Sequence, residues 1–387
     1  MELRMSQKER DRLKVVKDVV EGRMRPKDAA RVWAVSEKQV SRVVKRYQEE
    51  GDAGLVHRLR GRPSNRKTSE DIKEEVIERM KNRYKGFGPK LASEKLEEEL
   101  GLVVSRETVR TWMMEAKLSQ PWKQRLKHHA WRERRECFGE LVQMDTSLHD
   151  WFEGRGEKAV LITMIDDATS RSIKRFYPAD GTESNMALLR LYLERLGRPV
   201  AIYADKAGHF KVNRRTTIEE DLAGREPETQ IGRALRELGI EYIAAHSPQA
   251  KGRVERSFGT DQDRLVKGMR LAEIATIEAA NRYLEDNYLP EWEKRFTVPA
   301  TQPADVHRPL ADLDLAAILS VQETRTVAND YTLRYNSGHY QIEKSDIGSG
   351  MRGNKVLIER RLDGSLHMRW QGRYLKYHRI GEPSIEE

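Results

Sequence analysis

The sequence has a single cysteine and no long apolar run. Cys137 is the only thiol in 387 residues, so one chain cannot assemble a disulfide framework or a cysteine-based zinc finger. No window approaches the roughly eighteen apolar residues of a membrane span, and the N-terminal segment lacks the apolar stretch of a secretory signal. We therefore expect a soluble cytoplasmic protein without membrane contact. We interpret His128, His129 and Cys137 as a basic linker followed by a packed thiol, because they lack a fourth ligand.

Positive charge is concentrated in the first third of the chain. Residues 1–135 hold 35 Lys and Arg against 22 Asp and Glu, a net charge of +13, whereas the rest hold 36 against 40, or −4. This asymmetry is typical of a nucleic-acid-binding part joined to a part with another purpose, because Lys and Arg gain affinity by displacing phosphate counterions. The length allows about two to four domains.

Residues 1–52 have the pattern of a helix-turn-helix domain. Leu13, Val16 and Val20 recur at helical spacing, and Ser36 with Gln39 matches a capping box before a further helix. We expect the exposed polar side chains of that helix to enter the major groove of DNA. These candidate contacts are Lys38, Gln39, Arg42, Lys45 and Arg46. An ordinary three-helix bundle with a basic face is the alternative.

Residues 68–118 indicate a second helix-turn-helix domain without a strict sequence repeat. Thr68 or Ser69 caps one helix, the segment GFGP breaks the chain, and Ser105 begins another helix. The candidate DNA contacts there are Arg106, Thr108 and Arg110. The basic linker at 53–67 is either disordered or an arm that places Arg58, Arg60 and Arg62 in a minor groove. A second basic linker follows at 119–137.

From 138 to 290 the pattern predicts three strands and then alternating helices and strands, which is typical of a mixed sheet flanked by helices. Asp145 stands near the end of the first strand, Asp205 ends a short buried strand, and Glu255 lies beside the buried stripe of a long helix. Ionised groups in such places are costly without a cationic partner. Three converging carboxylates would hold two Mg²⁺ ions, with Mn²⁺ as a substitute, for phosphodiester displacement.

Other acids compete with this set. Asp166 and Asp167 end a strand, and we expect a turn-forming or supporting role for them. His149 and Asp150 are weaker rivals.

Residues 291–318 are predicted to form a linker, and 319–380 a small β-barrel domain. Turn signals at Asn329-Asp330, Ser337-Gly338 and Asp363-Gly364 separate its short alternating segments. Its basic side chains suggest a DNA or subunit contact, or else the domain merely stabilises the chain. They are Arg360, Arg361, Arg369, Arg373, Lys376 and Arg379. The fold class expected is thus multidomain, with helical, α/β and β parts.

Three segments resemble the motif blocks of the DDE transposase and retroviral integrase superfamily: QMDTSLHDWF, YADKAGHF and HSPQAKGRVERSFGTDQDRL. The resemblance is closest to ISNCY-type insertion-sequence transposases and extends over nearly the whole chain. It implies a ribonuclease H-like catalytic core, with Asp145, Asp205 and Glu255 as the catalytic metal ligands and with Lys251 and Arg253 against the DNA backbone. The 50 positions from Asp205 to Glu255 exceed the spacing in compact members, so we interpret 211–228 as an inserted surface loop.

The resemblance also implies an activity. A Mg²⁺-dependent transposase binds double-stranded DNA at the terminal repeats of its mobile element, cleaves it, and joins the 3′-hydroxyl ends to target DNA. Because two ends must meet, a homodimer or larger assembly on DNA is expected, at the nucleoid of a bacterial cytoplasm. The alternatives are a structure-specific nuclease or resolvase that does not join strands, and a non-catalytic regulator derived from a transposase.

Overall fold

The computed structural model describes residues 5–57, 68–119, 133–205, 228–244 and 252–381. The chain forms two compact units, residues 1–78 and 79–387, which are described separately. Within the described ranges, no helix is both long enough and apolar enough to cross a membrane. Several predicted features fall outside those ranges: Arg58, Arg60, Arg62, His128, His129, Lys251 and all of the inserted stretch except residue 228.

Three helices form the helix-turn-helix of the first unit: α1 (Gln7–Val20), α2 (Pro26–Trp33) and α3 (Glu37–Glu50). α2 ends at Ala34, which has a left-handed φ of 53°. The Ser36 hydroxyl then caps α3 by accepting a hydrogen bond from the backbone N–H of Gln39 at 3.3 Å, which satisfies one of the free N–H groups at the helix start. Two apolar clusters pack between the helices; their buried members are Val16, Val43 and Leu55, and Ala29, Ala30 and Val40. The first predicted helix-turn-helix is confirmed.

The second helix-turn-helix is also confirmed. Three helices follow the first unit's bundle: α4 (Glu70–Lys81), α5 (Pro89–Leu100) and α6 (Arg106–Glu115). α5 begins at Pro89, the last residue of the GFGP segment, and is capped by Gly101, whose φ of 66° is one that glycine adopts without strain. The Ser105 hydroxyl caps α6 by accepting from the backbone N–H of Thr108 at 3.1 Å. α6 packs against α5.

A five-stranded mixed sheet forms the centre of the second unit, with the strand order β3-β2-β1-β4-β5. Its strands are β1 (Leu141–Leu148), β2 (Val160–Asp166), β3 (Ser172–Tyr177), β4 (Ala201–Ala204) and β5 (Glu241–Ala244). β1 to β3 are antiparallel neighbours, and β4 and β5 join them in parallel. The predicted mixed sheet is confirmed. Asp145 lies mid-strand rather than near the strand end, because β1 stays paired with β2 as far as Leu148.

Helices cover both faces of this sheet. α7 (Thr182–Leu196) and α8 (Gln230–Glu237) pack on one face, where Val142 and Met144 point. The other face, where Leu161 and Ile165 point, is covered by α9 (Gly252–Leu271), α10 (Ile277–Tyr283), the π-helical segment Leu284–Tyr288, and α11 (Leu289–Phe296). The period-2 alternation of the strands therefore divides the apolar core into two layers.

The C-terminal part holds a short helix, α12 (Leu315–Ile318), and two antiparallel sheets. One sheet consists of β6 (Val321–Thr326), β9 (Lys355–Arg360), β10 (Leu366–Trp370) and β11 (Arg373–Leu375). The other consists of β7 (Thr332–Tyr335), β8 (Gly338–Ile342) and β12 (Tyr377–Arg379). A shared apolar core between the sheets includes Leu333, Ile342, Val356 and Met368.

The expectation of a closed barrel is wrong for the part of the chain that the structure describes. The strands lie in two separate ladders, and the chain passes from one sheet to the other at Lys376, between β11 and β12. A barrel needs one continuous ladder around its circumference, whereas strands that switch sheets at a bend produce two packed sheets.

Candidate active site

Two of the predicted acids lie within or directly after neighbouring strands of the sheet. β1 and β4 run parallel, and Gln143 pairs with Tyr203 in their register. Two residues further along stand Asp145, within β1, and Asp205, directly after the end of β4. Because adjacent strands are about 4.8 Å apart, this register puts the two carboxylates at neighbouring backbone positions. Asp145 is half-buried and Asp205 is exposed.

The helix that carries the third acid lies over the same face of the sheet. Side chains alternate along a strand, so Gln143 and Asp145 share one face. The backbone N–H of Val254, in the first turn of α9, donates to Oε1 of Gln143 at 3.2 Å. Glu255 is the next residue along the helix and is exposed. The start of α9 is therefore held two residues from Asp145 along β1.

The structure places β4 and the first turn of α9 against β1, but among the described residues it does not gather the three acids into a metal site. Across the described ranges, no group of three or more His, Cys, Asp or Glu side chains could hold a metal ion. The stretches that follow Asp205 and precede Glu255, 206–227 and 245–251, lie outside the described residues. Metal binding by the complete set stays a prediction.

The chemistry of this region fits a hard divalent cation. Carboxylate oxygens are the ligands that Mg²⁺ and Mn²⁺ prefer in proteins. Thr163 pairs with Asp145 in the antiparallel register, so the two side chains share a face. Its hydroxyl is fully buried and makes no hydrogen bond within the described residues. The neighbourhood of Asp145 therefore offers charged oxygens and one buried polar atom without a partner.

Comparison with known proteins identifies the family. Two family models, each described as a homeodomain-like domain, match residues 6–56 and 39–113. A putative transposase, y4bF, from Sinorhizobium fredii (strain NBRC 101917 / NGR234) is 39% identical over 376 residues, which cover 96% of this chain and 81% of that protein. The chain belongs to the DDE transposase and retroviral integrase superfamily. A transposase for insertion sequence IS1202 from Streptococcus pneumoniae is 26% identical and covers 92% of this chain and 82% of its own length.

Solved viral integrase structures also match this chain. The intasome of simian T-cell lymphotropic virus, in complex with PP2A regulatory subunit B56 gamma, is 13% identical with a TM-score of 0.32 and covers 77% of this chain and 100% of that chain. The HTLV-2 integrase catalytic core domain, in complex with magnesium, is 14% identical with a TM-score of 0.30. The match covers 43% of this chain and 95% of that chain. The assignment to the superfamily rests on the relative from Sinorhizobium fredii.

Asp166 holds the turn that follows β2. Its Oδ1 accepts hydrogen bonds from the backbone N–H and the hydroxyl of Thr169, both at 2.7 Å, and its Oδ2 accepts from the N–H of Gly139 at 3.0 Å. Burial raises the pKa of Asp166, although these donors act in the opposite direction. The contacts are those of the turn-forming role predicted for this acid.

Asp167 supports the start of α9, a role that sequence reasoning indicated only in general terms. Its Oδ1 accepts from Nε2 of Gln143 at 2.8 Å and from Nε of Arg253 at 2.7 Å. Gln143 thus bridges Asp167 and the N–H of Val254. The signal that points to Gln143 is its position on the strand face of Asp145, two residues earlier. Arg253, expected against the DNA backbone, is ion-paired to a carboxylate whose side chain is fully buried.

A buried ion pair that the sequence analysis missed lies further along α9. Nζ of Lys174, on β3, is 2.6 Å from both carboxylate oxygens of Asp261 and 2.7 Å from the hydroxyl of Ser257. Both charged side chains are completely buried. Burial lowers the pKa of Lys174 to about 8, although Asp261 acts to raise it. Asp261 lies seven positions after buried Val254, which is two turns along the helix. This spacing in the sequence indicates a polar group on the buried face of the helix.

The second helix-turn-helix is joined to α9 by ion pairs. Arg264 makes two contacts with the carboxylate of Glu94 on α5, Nη1 to Oε2 at 2.7 Å and Nη2 to Oε1 at 3.2 Å. Arg295 on α11 also contacts Glu94, at 2.7 Å. Burial acts to raise the pKa of Glu94, but these two guanidinium groups outweigh it and hold the pKa below its ordinary value. α9 therefore carries both Glu255 and an ion pair to the second helix-turn-helix.

The predicted DNA-reading side chains are mostly accessible. Lys38, Gln39, Arg42 and Lys45 on α3 are exposed, and Arg46 is half-buried. On α6, Arg106 and Arg110 are exposed, whereas the half-buried Thr108 takes part in the cap at the helix start. Arg110 is paired with Glu107 on its own helix, with Nε to Oε1 at 2.9 Å.

Several basic residues of the C-terminal sheets are used in internal ion pairs. The fully buried carboxylate of Glu359 is 3.5 Å from Arg361 and 3.3 Å from Arg369. Arg360 pairs with Glu183 on α7. Arg373 lies 3.9 Å from Asp346. The charge that suggested a DNA or subunit contact is thus partly compensated within the fold.

Proposed function

We propose that the chain is a DNA transposase that binds the terminal repeats of its own mobile element, cleaves DNA strands there, and joins the freed 3′-hydroxyl ends to target DNA. The observation that carries the proposal is the parallel pairing of β1 with β4 up to Gln143 and Tyr203, two residues before Asp145 and Asp205, together with the contact of Gln143 with the first turn of the helix that bears Glu255. The relationship to transposases over more than nine-tenths of the chain supports it.

The reaction centre consists of Asp145, Asp205 and Glu255, which hold Mg²⁺, or Mn²⁺ in its place. When bound, a pair of such cations activates the attacking oxygen and stabilises the leaving oxygen of a phosphodiester. The chain itself supplies carboxylates on two adjacent strands, and the contact between Val254 and Gln143 sets the position of the helix turn that bears the third. Water is the nucleophile for cleavage and the 3′-hydroxyl is the nucleophile for joining.

DNA is held by the two reading helices and by basic residues along the chain. The proposed contacts are Lys38, Gln39, Arg42, Lys45, Arg46, Arg106, Thr108, Arg110 and Arg253, together with Arg58, Arg60, Arg62 and Lys251 outside the described residues. The exposure of α3 and the match of both helical segments to homeodomain-like models support this assignment. A homodimer or larger assembly on DNA, at the bacterial nucleoid, brings the two ends together.

The test compares Asp145→Asn with the wild-type protein on DNA taken from both flanks of its own gene. Asn keeps the shape of Asp but removes the charge that holds a divalent cation, so strand cleavage should fall about 1,000-fold or more while DNA binding persists. Asp263→Asn is the matched control, since Asp263 is an exposed acid on α9 and, among the described residues, forms its ion pair with Lys267 one turn away. It should cleave as the wild type does.

Two results would overturn parts of this proposal. If Asp145→Asn leaves every activity unchanged, the chain acts as a DNA-binding regulator. If pre-cleaved ends supplied with a target plasmid give no joined product while cleavage proceeds, the chain is a nuclease or resolvase.

A further inference from the structure

The Lys174–Asp261 pair lies at the centre of a closed polar network between β3 and three helical segments. Besides Ser257 and Asp261 on α9, Lys174 contacts the ring of Trp292 on α11, with Nζ 3.5 Å from the ring centroid. The hydroxyl of Tyr288 donates to Oδ1 of Asp261 at 2.8 Å. The ammonium group is thereby surrounded by a carboxylate, a hydroxyl and an aromatic face, with its side chain completely buried.

Such a pair is a poor way to gain stability. Taking two charges out of water costs several kcal/mol per ion, and well-packed apolar residues in the same place are often neutral or better. What a buried pair does provide is geometry, because its hydrogen bonds are satisfied in only one register of the two elements. Here the two elements are the edge strand β3 and the helix α9.

The Lys174–Asp261 pair is placed so that the register it fixes between β3 and α9 also affects the candidate active site. Lys174 pairs with Thr163, and Thr163 pairs with Asp145, so the lysine stands in the same row of the sheet as the predicted ligand. α9 is fixed at a second place by the contact of Val254 with Gln143 on β1. Glu255 lies between these two anchors in sequence, one residue after Val254 and two before Ser257.

We propose that Lys174 is a positioning residue: through Ser257 and Asp261 it fixes the register of α9 across the sheet and so sets where Glu255 stands relative to Asp145 and Asp205. This inference rests on the proposed function for the role of Glu255. The anchoring of the helix itself can be measured without it.

The principal variant is Lys174→Met combined with Asp261→Asn. It removes both charges together, so neither is left buried alone, and Asn still offers an oxygen to the Tyr288 hydroxyl. The variant should therefore fold, which its denaturant unfolding curve checks. Amide hydrogen exchange at 252–256 in the metal-free protein should speed up about tenfold or more, because the second anchor is gone. Mn²⁺ binding, followed by electron paramagnetic resonance, should weaken about tenfold, as is common when a supporting contact behind a metal ligand is lost.

Catalysis gives the third measurement. The turnover number for strand cleavage should fall about 10- to 100-fold, the effect of misplacing a reacting group by about 1 Å, while the KM for end DNA stays unchanged. The matched control removes an ion pair away from α9: Arg195→Met with Glu285→Gln, whose side chains are 2.9 Å apart and partly exposed. It should match the wild type in all three measurements.

The outcomes separate the two proposals. A double variant that folds and equals the wild type in exchange, Mn²⁺ binding and turnover overturns the positioning role, even if Asp145→Asn is inactive. If the wild type cleaves no DNA, the proposed function fails, and hydrogen exchange still decides whether Lys174 anchors the helix. Should the double variant not fold, Ser257→Ala keeps both charges and removes one link to Lys174; unchanged exchange in that protein also overturns the proposal.

Discussion

Three polar side chains line up across the central sheet at one level. The register runs from Asp145 through Thr163 to Lys174. Thr163 differs from the others because its buried hydroxyl makes no hydrogen bond within the described residues. An unpaired polar group of this kind costs about 1–3 kcal/mol of stability. The row thus contains one locally unfavourable residue directly beside a predicted metal ligand.

Thr163→Val should therefore leave the protein as stable as the wild type or up to about 1 kcal/mol more stable. Val has nearly the shape of Thr and is equally suited to a strand, and it removes the hydroxyl that has no partner. The free energy of unfolding, measured by denaturant titration, checks this expectation.

Thr169→Val is the matched comparison, since the hydroxyl of Thr169 is also buried but both donates and accepts a hydrogen bond. It donates to Asp166 at 2.7 Å and accepts from the N–H of Arg171 at 3.1 Å. Its loss should lower the free energy of unfolding by about 1–3 kcal/mol. Equal losses at the two threonines would mean that the Thr163 hydroxyl has a partner in solution.

At the residue scale, single acidic residues could be identified from the sequence, whereas the partners in buried ion pairs could not. Asp205 at the end of an apolar strand and Asp166 before a turn could both be singled out locally, because each conflicts with its surroundings in a recognisable way. The partnership of Lys174 with Asp261 could not be predicted, since the two residues are 87 positions apart. Which core lysine meets which core aspartate depends on where α9 crosses the sheet.

At the scale of helices and strands, local chemistry determined most of the outcome. Ser36 and Ser105 cap their helices as predicted, and the alternation of β1 to β3 gave the right strands. The failures concern long-range pairing. β1 continues past Asp145 because β2 remains beside it, and the C-terminal strands form two sheets because β7, β8 and β12 pair with one another rather than with β6, β9, β10 and β11.

The junction of β3 with α9 should give stability a distinctive pH dependence. The pKa of Lys174 is lowered by burial to about 8 in the folded protein, from an ordinary value of 10.5. Between these pH values the unfolded chain binds more protons than the folded one, so this residue makes the free energy of unfolding rise with pH. The cost of burying the charged ammonium is complete below about pH 8 and is relieved on the way to 10.5.

The measurement is the free energy of unfolding at several pH values from 7 to 10.5, for the wild type and for Lys174→Met with Asp261→Asn. Subtracting the variant from the wild type removes the contribution of other groups that titrate in this range. The difference should increase with pH. Parallel curves for the two proteins would show that Lys174 has the same pKa in the folded and unfolded chains.

At the scale of the whole molecule, the charge distribution predicted a basic nucleic-acid-binding part that is separate from the rest of the chain. The fold shows this separation only in part. The excess of positive charge belongs to residues 1–135, yet the second helix-turn-helix is tied to α9 by Arg264 and Glu94, which are 170 positions apart. Composition cannot reveal such a tie, because it depends on packing between distant segments. The second helix-turn-helix and α9 are therefore held together by this ion pair.

The first helix-turn-helix offers the clearest test of which residues provide the affinity for DNA. Each Lys or Arg that neutralises a phosphate releases counterions, so the slope of log K against log salt falls by about one for each contact removed. Replacing the exposed residues Lys38, Arg42 and Lys45 of α3 by Gln should weaken DNA binding and reduce that slope by about three. Fluorescence anisotropy with labelled end DNA at several salt concentrations measures both effects.

A control triple separates the reading helix from charge in general. Lys8, Lys14 and Lys17 are exposed on α1, and their replacement by Gln changes the net charge by the same amount. If α3 lies in the groove, the control protein keeps most of its affinity and its salt slope, because its lysines make fewer phosphate contacts. If both triples lose affinity and slope equally, overall charge attracts the DNA and α3 is not the reading helix. Cleavage at saturating protein should be unaffected by either triple, since neither includes Asp145, Asp205 or Glu255.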